Sequence, residues 1–136
     1  MSTAKRFEDL RAWKLARELT RDTYRLTADK PFSRDFGLRD QIQRAAVSIM
    51  SNIAEGFESR TQRVFIDLLG RARGSAGEVR CQLYVAHDLG YITSDQLNQN
   101  RKKAEEVSRI IHGLVRYLEK LPNDSRIREE DIPYNE

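Results

Sequence analysis

Between residues 38 and 57 the chain reads LRDQIQRAAVSIMSNIAEGF, and its apolar positions recur at helical spacing. At about 100° per residue, Leu38, Ile42, Ala45, Ala46, Ile49, Ile53 and Gly56 fall on one arc of roughly a third of the circle. A polar stripe of Gln41, Arg44, Ser48, Asn52 and Glu55 runs beside it, and Val47, Met50 and Ala54 occupy the other flank. A helix with so little surface left for water has neighbours nearly all round.

Three further stretches carry the same period. Residues 8–27 predict a helix with a core stripe of Ala12, Leu15, Ala16, Leu19, Thr23 and Leu26. Pro31 breaks the pattern, and a second helix follows to about Gly56, with that glycine as a left-handed C-cap. Ser59 and Gln62 read as a capping box opening a third helix over 61–88, whose core stripe is Val64, Phe65, Leu68, Leu69, Ala72, Ser75, Ala76, Val79, Leu83 and Ala86. Thr93 and Gln96 form a second such box, opening a helix to about residue 121 with Leu97, Ala104, Val107, Ile111, Leu114, Val115, Leu118 and Leu121 inward. Four amphipathic helices with mostly short connections make an all-α, antiparallel up-down-up-down four-helix bundle the simplest fold. Residues 1–121 form that domain, and residues 122–136 are expected to be an acidic, mobile tail.

Several faces are left over once the core is assigned. Gly70, Gly74, Gly77 and Cys81 share one side of the third helix, away from its core. Three mid-helix glycines cost about 1 kcal/mol each relative to alanine, so a close helix neighbour is expected there; a weak or kinked helix is the alternative. Trp13 and Tyr24 lie off the main stripe of the first helix, which fits either a wide core or a contact between subunits. Folding the second helix back along the third places Arg44 near Ser75 and Glu78, Ser48 near Arg71, and Asn52 near Asp67. With Glu55, these side chains form a partly buried polar ladder that fixes register, or else a cleft for a charged ligand.

Charge changes the picture more than composition does. The chain of 136 residues has 39% hydrophobic and 33% charged residues, which suits one soluble helical domain. No run of 18 apolar residues suggests a membrane span, the start lacks the apolar core of a signal peptide, and the single cysteine fits a reducing cytoplasm. Residues 1–121 hold 22 Lys and Arg against 16 Asp and Glu, while residues 122–136 hold 2 against 5. Of the 24 bases 18 are arginine, the residue best shaped for phosphate and carboxylate. Arg11, Lys14, Arg21 and Arg25 line one face of the first helix, and Lys102, Arg109 and Arg116 recur every seven residues on the last. These are the expected nucleic-acid contacts; the competing reading is ion pairing on solvated faces.

Catalysis finds little support. His87 and His112 lack a Cys or His partner at metal-ligand spacing and read as structural or solvated. GRARGSAG lies within a helical pattern and is not a phosphate loop. No nucleophile stands beside a base and an orienting acid, so no enzyme, metal or cofactor is expected.

Phe7, Leu10, Trp13 and Ala16, Gln41, Asn52-Ile53-Ala54-Glu55-Gly56, Ala72-Arg73-Gly74-Ser75-Ala76 with Glu78, and Leu89-Gly90-Tyr91-Ile92 together give a distinctive pattern. It resembles the bacterial four-helix bundle proteins encoded in intervening sequences of large-subunit ribosomal RNA genes. Met50 stands where that family usually carries proline, so a straighter second helix is expected here. The resemblance implies a ring-like homopentamer. It also implies kinship with accessory proteins of diversity-generating retroelements, basic pentameric barrels that engage a reverse transcriptase and nucleic acid. Together these features lead to the expectation of a non-enzymatic oligomeric scaffold binding structured RNA or DNA; the alternative is a purely structural or protein-interaction module.

Overall fold

Each stretch with a 3.6-residue apolar period is helical in the structure, a computed structural model that describes residues 3–122, 126–127 and 132–133. The four helices are α1 (Arg11–Ala28), α2 (Phe36–Ser59), α3 (Gln62–Asp88) and α4 (Ser94–Glu119). Pairs along the seams fix their directions. Thr27 meets Gln43 and Thr20 meets Ala46 between α1 and α2, while Gly56 lies against Phe65 and Ser48 against Ser75 between α2 and α3. Arg73 meets His112 and His87 meets Ser94 between α3 and α4. Rising numbers on one helix meet falling numbers on the next, so the bundle runs up-down-up-down.

The ends of the helices show where local chemistry departs from the periodicity. The α1 helix opens at Arg11 and not near Glu8, because the Asp9 carboxylate accepts from the backbone N–H groups of Lys5 and Arg6 and draws Phe7–Asp9 into a 3-10 turn. Gly56 does not cap α2. The helix runs on to Ser59, and Arg60 adopts the left-handed conformation at φ 58°, its guanidinium 4.6 Å from the Phe57 ring centroid. Ser59 and Gln62 form no capping box: Ser59 Oγ donates to the Gly56 carbonyl, and Gln62 is buried. Gln62 Nε2 donates instead to the carbonyls of Leu118 and Leu121, satisfying two acceptors at the end of α4. The box at Thr93 and Gln96 is present, with both hydrogen bonds made. At the same end of the bundle Asp35 caps α2 through the Leu38 N–H and accepts from the Tyr91 hydroxyl at 2.9 Å. That bond to a carboxylate, with burial adding to it, raises the Tyr91 phenol above its ordinary pKa.

Inside, the predicted stripes meet in one core. Ile42, Ile49 and Ile53 of α2 and Phe65, Leu69 and Leu83 of α3 are essentially inaccessible, as are Ile111, Leu114 and Leu118 of α4. Val64 is a correction: at 42% exposure it sits about 100° from Phe65, beyond the edge of the stripe. Leu15, Leu26, Leu38, Val115 and Leu121 are half-buried at the core's margin. The described part of the segment beyond residue 121 also departs from expectation. Ile127 and Ile132 are 4% and 0% exposed and belong to the core cluster. The Ile127 N–H donates to the Arg60 carbonyl, and the Ala4 N–H donates to the Ile132 carbonyl. Two isoleucines supply enough apolar surface, about 1.5–3 kcal/mol each when buried, to hold these positions to the bundle. The acidic residues of that segment lie outside the described residues.

The tightest place in the structure is Gly56. A Cβ built there would lie 2.8 Å from the Phe65 ring and 3.3 Å from Leu68 Cβ. Phe65 is itself 1% exposed and edge-on to Phe57, so it has little room to yield. Gly56→Leu is expected to lower the unfolding free energy by about 3 kcal/mol through overpacking. Gly37→Leu, in the open first turn of the same helix, should change it by less than about 1 kcal/mol. Equal denaturation midpoints for the two variants would contradict the close approach. Ile132→Ala should cost about 2–5 kcal/mol, the loss expected of a buried isoleucine, and a midpoint equal to wild type would show that the segment does not contribute to the core.

Candidate nucleic-acid interface

Residues 72, 75 and 76 of α3 turn inward, so residues 73, 74 and 77 turn outward. The same alternation on α4 buries Val107, Ile111 and Leu114 and exposes Lys102, Arg109, His112 and Arg116. Two seams of α4 therefore carry charge, one beside α1 and one beside α3.

The α1 side is largely self-neutralised. Arg11 bonds Glu106 at 3.2 Å, and Arg109 closes on the same carboxylate from within α4. The bond from Arg109 holds the Glu106 carboxyl below its ordinary pKa, with Arg11 adding to the effect. Lys103 reaches Asp22 at 2.5 Å, and Arg25 lies 3.7 Å from the same residue. Arg11, Lys14, Leu15, Glu18 and Glu106 line a shallow groove of about 280 Å³ there. Of the cations expected to meet nucleic acid, Arg21, Lys102 and Arg116 are exposed and have no bonded carboxylate among the described residues.

The α3 side is different. A groove of about 580 Å³ is lined by Arg73, Arg80, Arg109, His112 and Arg116, with Glu105 as its one carboxylate. Glu105 is already engaged by Arg101 at 2.8 Å and Arg80 at 3.5 Å. Arg73 Nη1 lies 3.3 Å from His112 Nδ1. Sequence reasoning missed Arg73, Arg80 and His112 as site residues. Arg73 and Arg80 repeat at seven, as Arg109 and Arg116 do, and antiparallel pairing of α3 with α4 sets the two repeats face to face.

The polar ladder contracts to its centre. The Ser48 and Ser75 hydroxyls are 2.9 Å apart, and Asn52 Nδ2 donates to both the carbonyl and the hydroxyl of Ser48. Arg44 and Glu78 line one groove of about 370 Å³ with Ser48 and Ser75, as expected, but Arg44, Glu55, Asp67, Arg71 and Glu78 are exposed and make no side-chain hydrogen bond or ion pair among the described residues, so they are not rungs. Because α2 continues past Gly56 to Ser59, its pairing with α3 shifts by about one turn, bringing Ser48 to Ser75 and leaving Arg71 outside.

The residues expected at an oligomer contact divide in the same way. Trp13 is half-buried within the subunit, edge-on to Phe7 at 5.2 Å, with the Arg17 guanidinium 5.7 Å from its centroid. Tyr24 is 46% exposed and shares an α1–α2 groove with Val47 and Arg44. Gly70, Gly74 and Gly77 are exposed, and a Cβ added at any of them meets nothing within 4 Å; Cys81 is exposed beside them. Among the described residues no group of three or more His, Cys, Asp or Glu is placed to hold a metal ion, and no helix is long and apolar enough to cross a membrane.

No curated protein matches this chain. Among solved structures, a protein of unknown function from the S23 ribosomal protein family of Bacteroides thetaiotaomicron VPI-5482 superposes with a TM-score of 0.70. The two share 21% identity, the alignment covering 76% of this chain and 97% of that one, a likeness that establishes the common fold. The sequence profile of the 23S rRNA-intervening sequence proteins matches residues 8–113. With the motifs of α2, α3 and the α3–α4 turn inside that span, the chain belongs to the 23S rRNA-intervening sequence protein family.

Proposed function

We propose that this protein is a self-associating, non-enzymatic scaffold that binds structured RNA through the electrostatic field of its arginine-rich helix faces. The observation that carries the reading is the surplus of exposed cation around α4. Lys102 and Arg116 stand in solvent without a bonded carboxylate among the described residues, and Arg21 extends the surface onto α1. With no groove-reading motif, such a surface selects for backbone charge and shape and not for base sequence. Partner ion pairs on the α1 side, Arg11 with Glu106 and Lys103 with Asp22, favour the second reading, a structural or protein-interaction module without a nucleic-acid role.

Self-association rests on the glycine seam. Three glycines in the middle of α3 forgo about 3 kcal/mol of helix propensity, and their open flanks show that no packing inside the subunit offsets it. A second copy lying against Gly70, Gly74 and Gly77 would supply the offset, and a ring of five copies is what the family resemblance implies.

On an immobilised RNA hairpin the wild-type protein should be held at low salt and released steeply between about 50 and 200 mM salt. The double variant Arg21→Glu, Lys102→Glu should lose that retention at unchanged oligomer mass. Wild-type protein that passes over the hairpin at every salt concentration leaves the interaction module as the better reading. Separately, Gly74→Leu should lower the mass measured by sedimentation while helix content by circular dichroism stays as in wild type. A wild-type protein that sediments as a monomer at high concentration removes the assembly from the proposal.

A further inference from the structure

We infer that the groove between α3 and α4 is a phosphate-binding site in which Arg73, His112 and Arg116 grip one anionic group, with His112 taking up a proton as it binds. The inference rests on the RNA reading only for the source of the phosphate.

The charge balance comes first. Four arginines and a histidine line the groove against Glu105, whose carboxylate is already shared by Arg101 and Arg80. Arg109 is turned to Glu106, which leaves Arg73 and Arg116 as cations without a bonded carboxylate among the described residues. Guanidinium forks present parallel N–H groups at the spacing of phosphate oxygens, so the groove has the donors and the charge for that group.

The contact between Arg73 and His112 adds a proton linkage. A guanidinium nitrogen can only donate, so a hydrogen bond across the 3.3 Å between Arg73 Nη1 and His112 Nδ1 needs that ring nitrogen as the acceptor. A protonated Nδ1 would point one cation at another. A phosphate oxygen set between the two groups accepts from both and reverses that preference. Groups facing His112 are Arg73 and Arg80 from α3 and Glu105, Arg109 and Arg116 from α4. Histidine is the side chain among these types that ordinarily changes charge between pH 5 and 8, and an RNA phosphodiester does not. Binding should therefore tighten as the pH falls through that range.

The chain has two histidines, and His87, bonded to Ser94 at the far end of α3, serves as an internal control. The experiment follows both imidazole Cε1–H resonances from about pH 5.5 to 8, with the full chain alone, with an RNA hairpin, and with pyrophosphate. Both ligands should raise the His112 titration midpoint by about one unit and leave His87 in place. Arg73→Gln with Arg116→Gln should weaken RNA binding about tenfold or more, lower its salt slope by about two, and remove the His112 response. The pair Lys30→Gln, Arg63→Gln, exposed cations outside the groove and the α1–α4 surface, should keep that response. His112→Gln should abolish the pH dependence at retained helix content. RNA binding that leaves His112 unmoved and survives the groove variant overturns this site and spares the RNA reading. A His112 response to pyrophosphate without RNA binding does the reverse, and no response to either ligand overturns both.

Discussion

The architecture depends on how closely α2 can approach α3. Gly56 gives the Phe65 ring and Leu68 a place to lie against the backbone of α2, and no side chain fits there without displacing them. Further along the same seam Ala45, Ala72, Ser75 and Ala76 are buried, small residues that keep the two backbones near each other. That proximity lets the Ser48 and Ser75 hydroxyls meet at 2.9 Å, a polar contact that longer side chains would have held apart. The bulky residues then fall to the outer seams, where Leu19 of α1 and Ile111, Leu114 and Leu118 of α4 complete the core. Turning Ala72, Ser75 and Ala76 inward also settles what α3 shows to solvent, because Arg73, Gly74 and Gly77 must then face out.

Charge follows from the same geometry. Where α1 and α4 meet, Glu106 and Asp22 each draw two cations. Exposed ion pairs of this kind contribute at most about 1 kcal/mol, so their main effect is to cancel field. Glu106 keeps its charge to lower pH than an ordinary carboxylate because Arg109 and Arg11 hold it. Its contribution to stability is present above the unfolded-state pKa and is lost only as the pH falls through the lowered folded value. At neutral pH the α1 side is thus fixed as a paired surface. The α3 side, with one carboxylate already shared, is where positive potential accumulates.

Periodicity carried the fold because one physical quantity, burial, decides both the helix and its orientation. The inward stripes of α2 and α3 were legible almost residue by residue, Val64 being the exception at a stripe's edge. Positions decided by competition between partners were not legible. Gly56 suits a C-cap and a close helix crossing equally well on composition, and only the facing Phe65 distinguishes them. Gln62 fits a capping box, yet the unpaired carbonyls ending α4 are stronger claimants for its amide. Ile127 and Ile132 were hidden by the acids around them, since averaged polarity says nothing of two apolar anchors. For the site, the seven-residue repeat of cations on α4 is legible, whereas its counterpart on α3, Arg73 and Arg80, is not picked out in the sequence. What one sequence could not supply was the pairing of Arg11 and Arg109 with Glu106, which moves the surplus charge from one side of α4 to the other.

The two outward features of α3 are adjacent in sequence and about 100° apart around the helix, Arg73 on the groove side and Gly74 on the open seam. An assembly built along the glycines would therefore leave the arginine groove uncovered and repeat it once per subunit at fixed spacing. A single groove offers few phosphate contacts, and each is weak at physiological salt. Repetition on the proposed ring would change this, because once one groove is occupied the next phosphate is presented at high effective concentration. Such an array would favour folded RNAs whose backbone curvature matches the spacing of the grooves over extended strands of equal charge. Selectivity would then reside in the geometry of the assembly, not in the contacts of any one subunit.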